Sequence, residues 1–425
     1  MMEKKKKAMW LSLLFMGLGQ FYNKQYIKGT IFALIEIIAL IFGIPYFRKS
    51  LWGLITLGEI KFHYVNGKAV YDHSLFLMLQ GIIALLVLAI LIIIYVSNIV
   101  DAKKNAERIE IKKTTLHDVL DKNFPFIILA PAALFILFVV AFPIIFSILV
   151  AFTDFSGPYR LPPRALLNWV GFSNFRDLFK LEIWSGTFYG VFVWTVIWAI
   201  LATVTSYFSG LFLALLINSA EVKFKRLWRS IFILPYAVPG FISLLVLRLM
   251  FSGPGPINDF LEIIGLQRVD WLTDPSLAKI VLIIVNIWLG APYFMALMSS
   301  ILTNISKELY ESADIDGATG FQKFRYITLP MVLYATSPLL ITSFSYNFNN
   351  FNIIYLLTDG GPVNPSYRYA GHTDILISWI YKLTLNQQQY HMASVVSIII
   401  FIIIASISAY GFTQTRSFKE EDLIQ

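Results

Sequence analysis

The sequence predicts an all-α, polytopic membrane bundle of about eight transmembrane helices, and three observations carry that prediction. Of its 425 residues, 57% are hydrophobic and only 14% charged, with a mean hydropathy of +0.68; a soluble domain averages about 25% charged. Several uncharged runs approach or exceed the roughly 20 residues that a bilayer-spanning helix needs. Basic residues gather in the short segments between those runs. The formal net charge of +8 therefore reads as loop charge at a membrane surface, and with no nucleic-acid motif beside it, nucleic acid is not an expected partner. The absence of cysteine excludes disulfides, thiolate catalysis and Cys-based metal sites.

Taken in order, the first element is ambiguous. Lys4 to Lys7 followed by an apolar run imitates a signal peptide, but no small-residue cleavage site follows. The run from Ala8 to Tyr22 is short for a span, and Lys24 and Lys28 come straight after it. It reads as an interfacial or re-entrant helix; the alternative, a ninth span, would put the four lysines outside. Spans are then expected near 30–47, 75–98, 126–152, 187–217, 228–251, 277–301, 331–357 and 392–413. The run from 187 exceeds one crossing and is expected to tilt or break, with Ser206, Ser209 and Gly210 at its middle. Orientation follows from Lys4 to Lys7, from Lys103, Lys104, Arg108, Lys112 and Lys113 before the third span, and from Lys223, Lys225, Arg226 and Arg229 before the fifth. These put both termini inside. Arg160, Arg164, Arg176 and Lys180 run against the bias in a segment placed outside.

Between the sixth and seventh spans lies a polar segment with helix punctuation. Ser306 can cap a helix with Glu308 in its first turn, and Gly317 can end it. Thr319-Gly320-Phe321-Gln322 is a capping box for a second helix, expected to run to Leu329 before Pro330 opens the next apolar stretch. Glu36 in the first span is a lone acid without a second ionisable partner in the other spans, a poor proton relay. His63, His73, His372 and His391 show no metal-ligand spacing and fall in external segments. No Ser-His-Asp or paired-carboxylate arrangement occurs in any span, so no active site and no metal are expected. No Gly-x4-Gly-Lys-Ser/Thr phosphate loop occurs either.

The spacing Glu311-Ser312-Ala313, Gly317, Ile327-Thr328-Leu329-Pro330 resembles the cytoplasmic coupling loop of bacterial ABC importer permeases, with Ser312 where Ala is usual. That resemblance implies a separate ATPase dimer acting on a coupling loop at 302–330, with Glu311, Ser312, Ala313, Asp316, Gly317, Ile327, Leu329 and Pro330 as the coupling residues. This chain would then be a non-catalytic subunit with no cofactor of its own, ATP and Mg being bound by the partner. It further implies a six-helix importer core completed by a second homologous permease subunit in the cytoplasmic membrane.

Polar residues inside apolar spans cost free energy unless paired or facing a cavity. Ser343, Asn347 and Asn350 recur at i, i+4 and i+7, one face of a continuous seventh helix, with Tyr346 beside them. Such a face suits either a neutral, hydroxyl-rich ligand or interhelical hydrogen bonding, and periodicity alone leaves both open. From about Leu116 onward the chain is similar to the larger permease subunit of maltose and maltodextrin importers. The stretches that carry it are Ile233 to Pro239, Asn286 to Gly290, Phe348 to Phe351, and Leu356 to Pro362. The resemblance implies substrate contacts at Tyr236, Asn286, Leu289, Gly290, Tyr293, Ser343, Tyr346, Asn347 and Asn350, with Gly240 where that subunit has Ser. It divides the chain into an amino-terminal membrane segment, 1–115, and a transporter domain, 116–425. The Gram-negative relatives carry a large folded insertion after the third span. Here only Phe152 to Ile183 intervenes, which suits a Gram-positive-type importer served by an extracellular, lipid-anchored sugar-binding protein. The implied function is ATP-driven import of malto-oligosaccharides. The alternatives are a permease for another oligosaccharide or a secondary transporter, although neither inverted repeats nor coupling-ion residues are evident.

Overall fold

The computed structural model describes residues 2–106, 116–219 and 221–414. Arg108, Lys112 and Lys113, used above for orientation, lie outside them. Among the described residues, seven continuous helices and one bent pair are long and apolar enough to cross a membrane, eight crossings when the pair counts as one. They are Tyr26–Thr56, Ser74–Asn105, Phe124–Val150, Glu182–Asn218, the pair Lys225–Ala237 and Gly240–Met250, Pro275–Asn304, Gly320–Phe348 and Tyr390–Thr413, numbered here as the first to eighth spans. The chain forms two units, 1–171 and 172–425.

In the first unit, the stretch Ala8 to Tyr22 is not one continuous helix. It falls into two helices, Met2–Leu14 and Leu18–Tyr22, separated by Gly17 at φ +92°, where a Cβ would sit 2.2 Å from the Gly29 carbonyl oxygen. Polar groups fasten this hairpin to the second span. The Asn98 Oδ1 accepts from the Gly17 N–H at 3.1 Å, and Gln20 Nε2 donates to the Asn98 carbonyl at 2.9 Å. Lys28 pairs with Asp101 at 2.9 Å. Glu36 accepts the Met16 N–H, so the lone acid of the first span has a local structural partner. A two-stranded antiparallel hairpin, His63–Val65 with Lys68–Val70, joins the first two spans; the sequence reading had no strand there, and this short ribbon leaves the all-α class intact.

Three prolines in the spans each follow a π-helical turn. A π-helical turn at Ala39–Gly43 precedes Pro45, one at Ile136–Ala141 precedes Pro143, and one at Phe324–Thr328 precedes Pro330. A proline removes one N–H and pushes its ring against the carbonyl four residues back; one wider turn relieves the clash without exposing backbone to lipid. The third turn overturns an expectation: the second helix of the coupling loop does not stop at Leu329. It continues through Pro330 as the seventh span.

In the second unit the fourth span is one unbroken helix of 37 residues, about 55 Å long, so of the two outcomes expected, tilting or breaking at Ser206–Gly210, the break does not occur. Those small residues serve packing instead. Ser206 Oγ donates to the Asn286 carbonyl at 3.3 Å, and a Cβ at Gly210 would lie 2.4 Å from the Phe294 Cβ. Trp194, Trp198 and Ala202 from this helix pack with Val281, Leu282 and Val285 of the sixth span and with Ile353, Ile354 and Leu357. The real bend is elsewhere. The fifth span turns through 89° between Ala237 and Gly240, at Val238-Pro239.

The seventh span also differs from the continuous 331–357 helix expected. It ends at Phe348; Asn349 follows, and a separate helix, Phe351–Thr358, begins with Asn350 as its cap, whose Oδ1 accepts from the Ile353 N–H at 3.5 Å. The polar cluster is therefore at a helix break, not mid-helix, because Asn side chains offer the backbone local hydrogen bonds that compete with the helix. Between the last two spans, the segment from Asp359 to Ile375 is held by Asp374. Its carboxylate accepts from the Gly371 N–H at 2.6 Å, Ser378 Oγ at 2.8 Å and Lys382 Nζ at 2.7 Å. Burial pushes the Asp374 carboxyl up, and Lys382 pulls the other way.

Candidate functional site

The bend of the fifth span, the helix break after Phe348 and polar and glycine positions of the sixth and seventh spans meet around one cavity of about 760 Å³ inside the second unit. All nine residues singled out from the sequence line it: Tyr236, Asn286, Leu289, Gly290, Tyr293, Ser343, Tyr346, Asn347 and Asn350. Ser206, Gly240, Phe241, Thr342 and Asn352 line it as well. Every lining residue is uncharged. The walls combine aromatic rings with amides and hydroxyls, the surface a neutral polyol needs: donors and acceptors at the edge, flat apolar faces for its C–H groups.

Each wall has its own origin. Tyr236 sits in a 3₁₀ turn, Leu234–Ala237, just before the bend. Gly240 opens the helix beyond it, and a Cβ there would meet nothing within 4 Å. Tyr236, Tyr293 and Tyr346 are 57%, 45% and 66% exposed, so their rings are free to contact a guest. The two buried asparagines are different. Asn286 Nδ2 donates to the Ala202 carbonyl at 3.1 Å and to Ser206 Oγ at 3.0 Å. Asn347 Nδ2 donates to Thr203 Oγ1 at 3.0 Å, and its carbonyl accepts from Trp198 Nε1 at 3.0 Å. For these two the interhelical hydrogen bonds are present: their amide nitrogens bind the fourth span while the residues border the cavity.

Asn350 does not share one continuous helical face with Ser343 and Asn347, as the i, i+7 spacing suggested. It reaches the same cavity because the chain breaks. Phe241, Thr342 and Asn352 escaped sequence reasoning because their placement depends on the bend and on that break. Ser206 carried a signal, a hydroxyl in mid-span, that was read as a weak point instead.

The residues expected to couple to an ATPase gather on an exposed hairpin of helices. Glu311, Ser312 and Ala313 lie on Lys307–Ile315, whose cap, Ser306 Oγ, accepts from the Glu308 N–H at 3.2 Å. Asp316 ends that helix, and Gly317 takes φ +73°. Both bonds of the capping box form, at 2.7 and 3.3 Å. Lys323 bridges the arms to Asp314 at 2.6 Å, and Tyr310 meets Thr328 at 2.9 Å. Ile327 lies in the π turn, and Leu329 and Pro330 begin the regular helix after it. Ile315, Phe321 and Tyr326 are 87%, 67% and 71% exposed, an apolar surface on an otherwise charged loop.

A bent, cavity-bearing bundle of eight crossings with an ordered polar hairpin before its seventh span defines a membrane transport permease. Residues 206–415 match the family described as "Binding-protein-dependent transport system inner membrane component". The chain is 40% identical to the galactooligosaccharides transport system permease protein GanP of Bacillus subtilis (strain 168), over 99% of this chain and 100% of that protein. It is also 40% identical to the maltodextrin transport system permease protein MdxF of the same organism, over 99% and 98%. Among solved structures it is similar to a bacterial ABC transporter involved in the import of the acidic polysaccharide alginate, at TM-score 0.56 and 25% identity, covering 71% of this chain and 98% of that one. The chain belongs to the binding-protein-dependent ABC importer permeases.

Proposed function

We propose that this protein is one permease subunit of an ATP-driven importer carrying neutral oligosaccharides, malto-oligosaccharides foremost, across the cytoplasmic membrane with both termini inside. The observation that carries the reading is the uncharged cavity lined by tyrosine rings, amides and hydroxyls. An acidic polysaccharide would find no cation there to balance it. Tyr236, Tyr293 and Tyr346 would stack on pyranose faces, and Ser343, Asn350 and the Oδ1 atoms of Asn286 and Asn347 would meet hydroxyls. The lack of any phosphate loop in the sequence supports hydrolysis by a separate ATPase dimer, which would bind ATP and Mg and dock on the hairpin through Glu311, Ser312, Ala313, Asp316, Gly317, Ile327, Leu329 and Pro330. A second homologous permease would supply the other half of the pathway, and an extracellular, lipid-anchored binding protein would deliver the sugar. Alternating access then needs only that ATPase closure moves the hairpin and, through the continuous helix 320–348, the Tyr346–Asn350 wall of the cavity.

A second reading, galactooligosaccharide import, is favoured by the near full-length similarity to GanP. The deciding experiment is uptake by proteoliposomes holding the full complex and its binding protein, with maltotriose, galactobiose and an oligo-uronate as competing substrates. Maltotriose uptake with no uronate uptake is expected. Preference for galactobiose moves the assignment to the second reading, and efficient uronate transport defeats both.

A further inference from the structure

The cavity has two ends, and the fourth span serves as a ruler between them. At the level of Ala202 and Thr203 that helix receives the amides of Asn286 and Asn347. About two turns along, a Cβ on Gly210 would meet Phe294 and the Ala291 carbonyl, which marks the level of Tyr293. Tyr293 lies seven residues from Asn286, about 10 Å along the sixth span. Tyr236 is within electrostatic reach of Tyr293 and of Tyr346, so the aromatic rings gather toward this end. In the other direction the seventh span has already ended. There the helices Gly240–Met250 and Phe351–Thr358 both begin at the cavity wall. They run on together, Leu244 sharing one cluster with Ile353, Leu357 and Trp198, about one turn of the fourth span beyond Ala202.

Two features of this second end have no structural use. Asn352 lines the cavity and is exposed, and its side-chain amide has no hydrogen-bond partner among the described residues. Asn286, Asn347 and Asn350 differ, each spending a side-chain atom on the protein itself. Gly240 also lines the cavity, yet its φ is not positive and a Cβ there would meet nothing within 4 Å. Neither backbone conformation nor packing calls for glycine at that position, so what its bare Cα provides is room. A free amide donates and accepts, the pairing that vicinal sugar hydroxyls satisfy, and it stands away from the rings that would stack on a first pyranose. We propose that Asn352 is a specificity-determining residue which, with the room left at Gly240, forms a second glycosyl subsite and favours oligosaccharides over monosaccharides. This inference rests on the reading of the cavity as a neutral-sugar site.

The chain has no cysteine, so single cysteines can report each end in the whole permease–ATPase complex in detergent. Asn352→Cys marks the second subsite and Ser343→Cys the first. The readout is the rate at which a small methanethiosulfonate labels this chain, with maltotriose, galactobiose, glucose or galactose present. Maltotriose or galactobiose should slow labelling at both positions, and the monosaccharides should leave Asn352→Cys unprotected. With Ser343→Cys as reporter, Asn352→Leu should raise the half-protecting oligosaccharide concentration roughly two- to tenfold, the loss of one neutral hydrogen bond. Its melting temperature should match that of the parent, because the amide has no protein partner to lose. Gly240→Leu should weaken protection likewise by filling the space. Protection of Ser343→Cys but not of Asn352→Cys overturns the subsite and leaves the sugar-site reading standing. Protection of neither by any of the four sugars overturns both. Equal protection of Asn352→Cys by monosaccharide and oligosaccharide, or a lowered melting temperature in Asn352→Leu, also overturns the proposal.

Discussion

At the residue scale, the cavity separates side chains that only face it from those that also hold the bundle together. Tyr346, more than half exposed, belongs to the first kind. Tyr346→Ala should cut uptake several-fold, since one aromatic contact is worth about 0.5–1.5 kcal/mol, while the melting temperature of the purified complex stays within error of the wild type. Loss of folding in this variant would show the ring to be structural. Asn347 belongs to the second kind. Asn347→Leu removes the bond to Thr203 and leaves that buried hydroxyl short of a partner, a cost of about 1–3 kcal/mol. Thermal denaturation should therefore fall for Asn347→Leu and not for Tyr346→Ala. The nine residues were legible as chemistry because neutral polar groups in lipid-spanning runs need a reason. Which of them also pair with the fourth span was not legible, because that depends on partners 80 or more positions away in sequence, such as Thr203 at a separation of 144.

At the element scale, contact between the fourth and sixth spans depends on a missing side chain. Gly210→Leu would drive its Cβ into Phe294 and the Ala291 carbonyl, at 2.4 and 2.8 Å, and must push the helices apart. Overpacking of this kind costs about 1–3 kcal/mol or more, and a lowered melting temperature with loss of co-purifying ATPase is expected. At the hairpin, Gly317 has open space around it but a positive φ, so Gly317→Val is penalised by backbone alone, by about 1–2 kcal/mol. Membrane insertion should be normal, with uptake and ATPase co-purification lost; full uptake would remove this turn from the coupling role. Between the last two spans, Asp374→Ala leaves Lys382 beside a buried void, and breaking such a pair costs about 3–5 kcal/mol. Limited proteolysis within 359–375 should become faster. The caps at Ser306 and Thr319 were readable because capping is a local side-chain-to-backbone bond. The π turns, the 89° bend and the Asn349–Asn350 break were not, since each is settled by how proline and asparagine are accommodated among neighbouring helices.

At the scale of the whole molecule, orientation is open to direct measurement because the chain has no cysteine. A single cysteine at His63, in the ribbon between the first two spans, should react with an impermeant maleimide in intact cells. One at Ser312 should react only after permeabilisation. The reverse pattern would invert the proposed topology and with it the position of the ATPase. What the sequence by itself determined is whatever rests on transfer to lipid and on local backbone chemistry: the class, the number and approximate place of the crossings, and the capped hairpin with its Gly317 turn. A bilayer imposes those through length and hydropathy before any helix meets another. What only the tertiary structure decided is where helices stop, bend and touch. The seventh span stops early, the fourth does not break, and the fifth turns sharply, because in lipid these outcomes hang on close packing and on interhelical hydrogen bonds. Those contacts, and not the hydropathy that precedes them, gather Tyr236, Asn286, Tyr346 and Asn350 around one cavity.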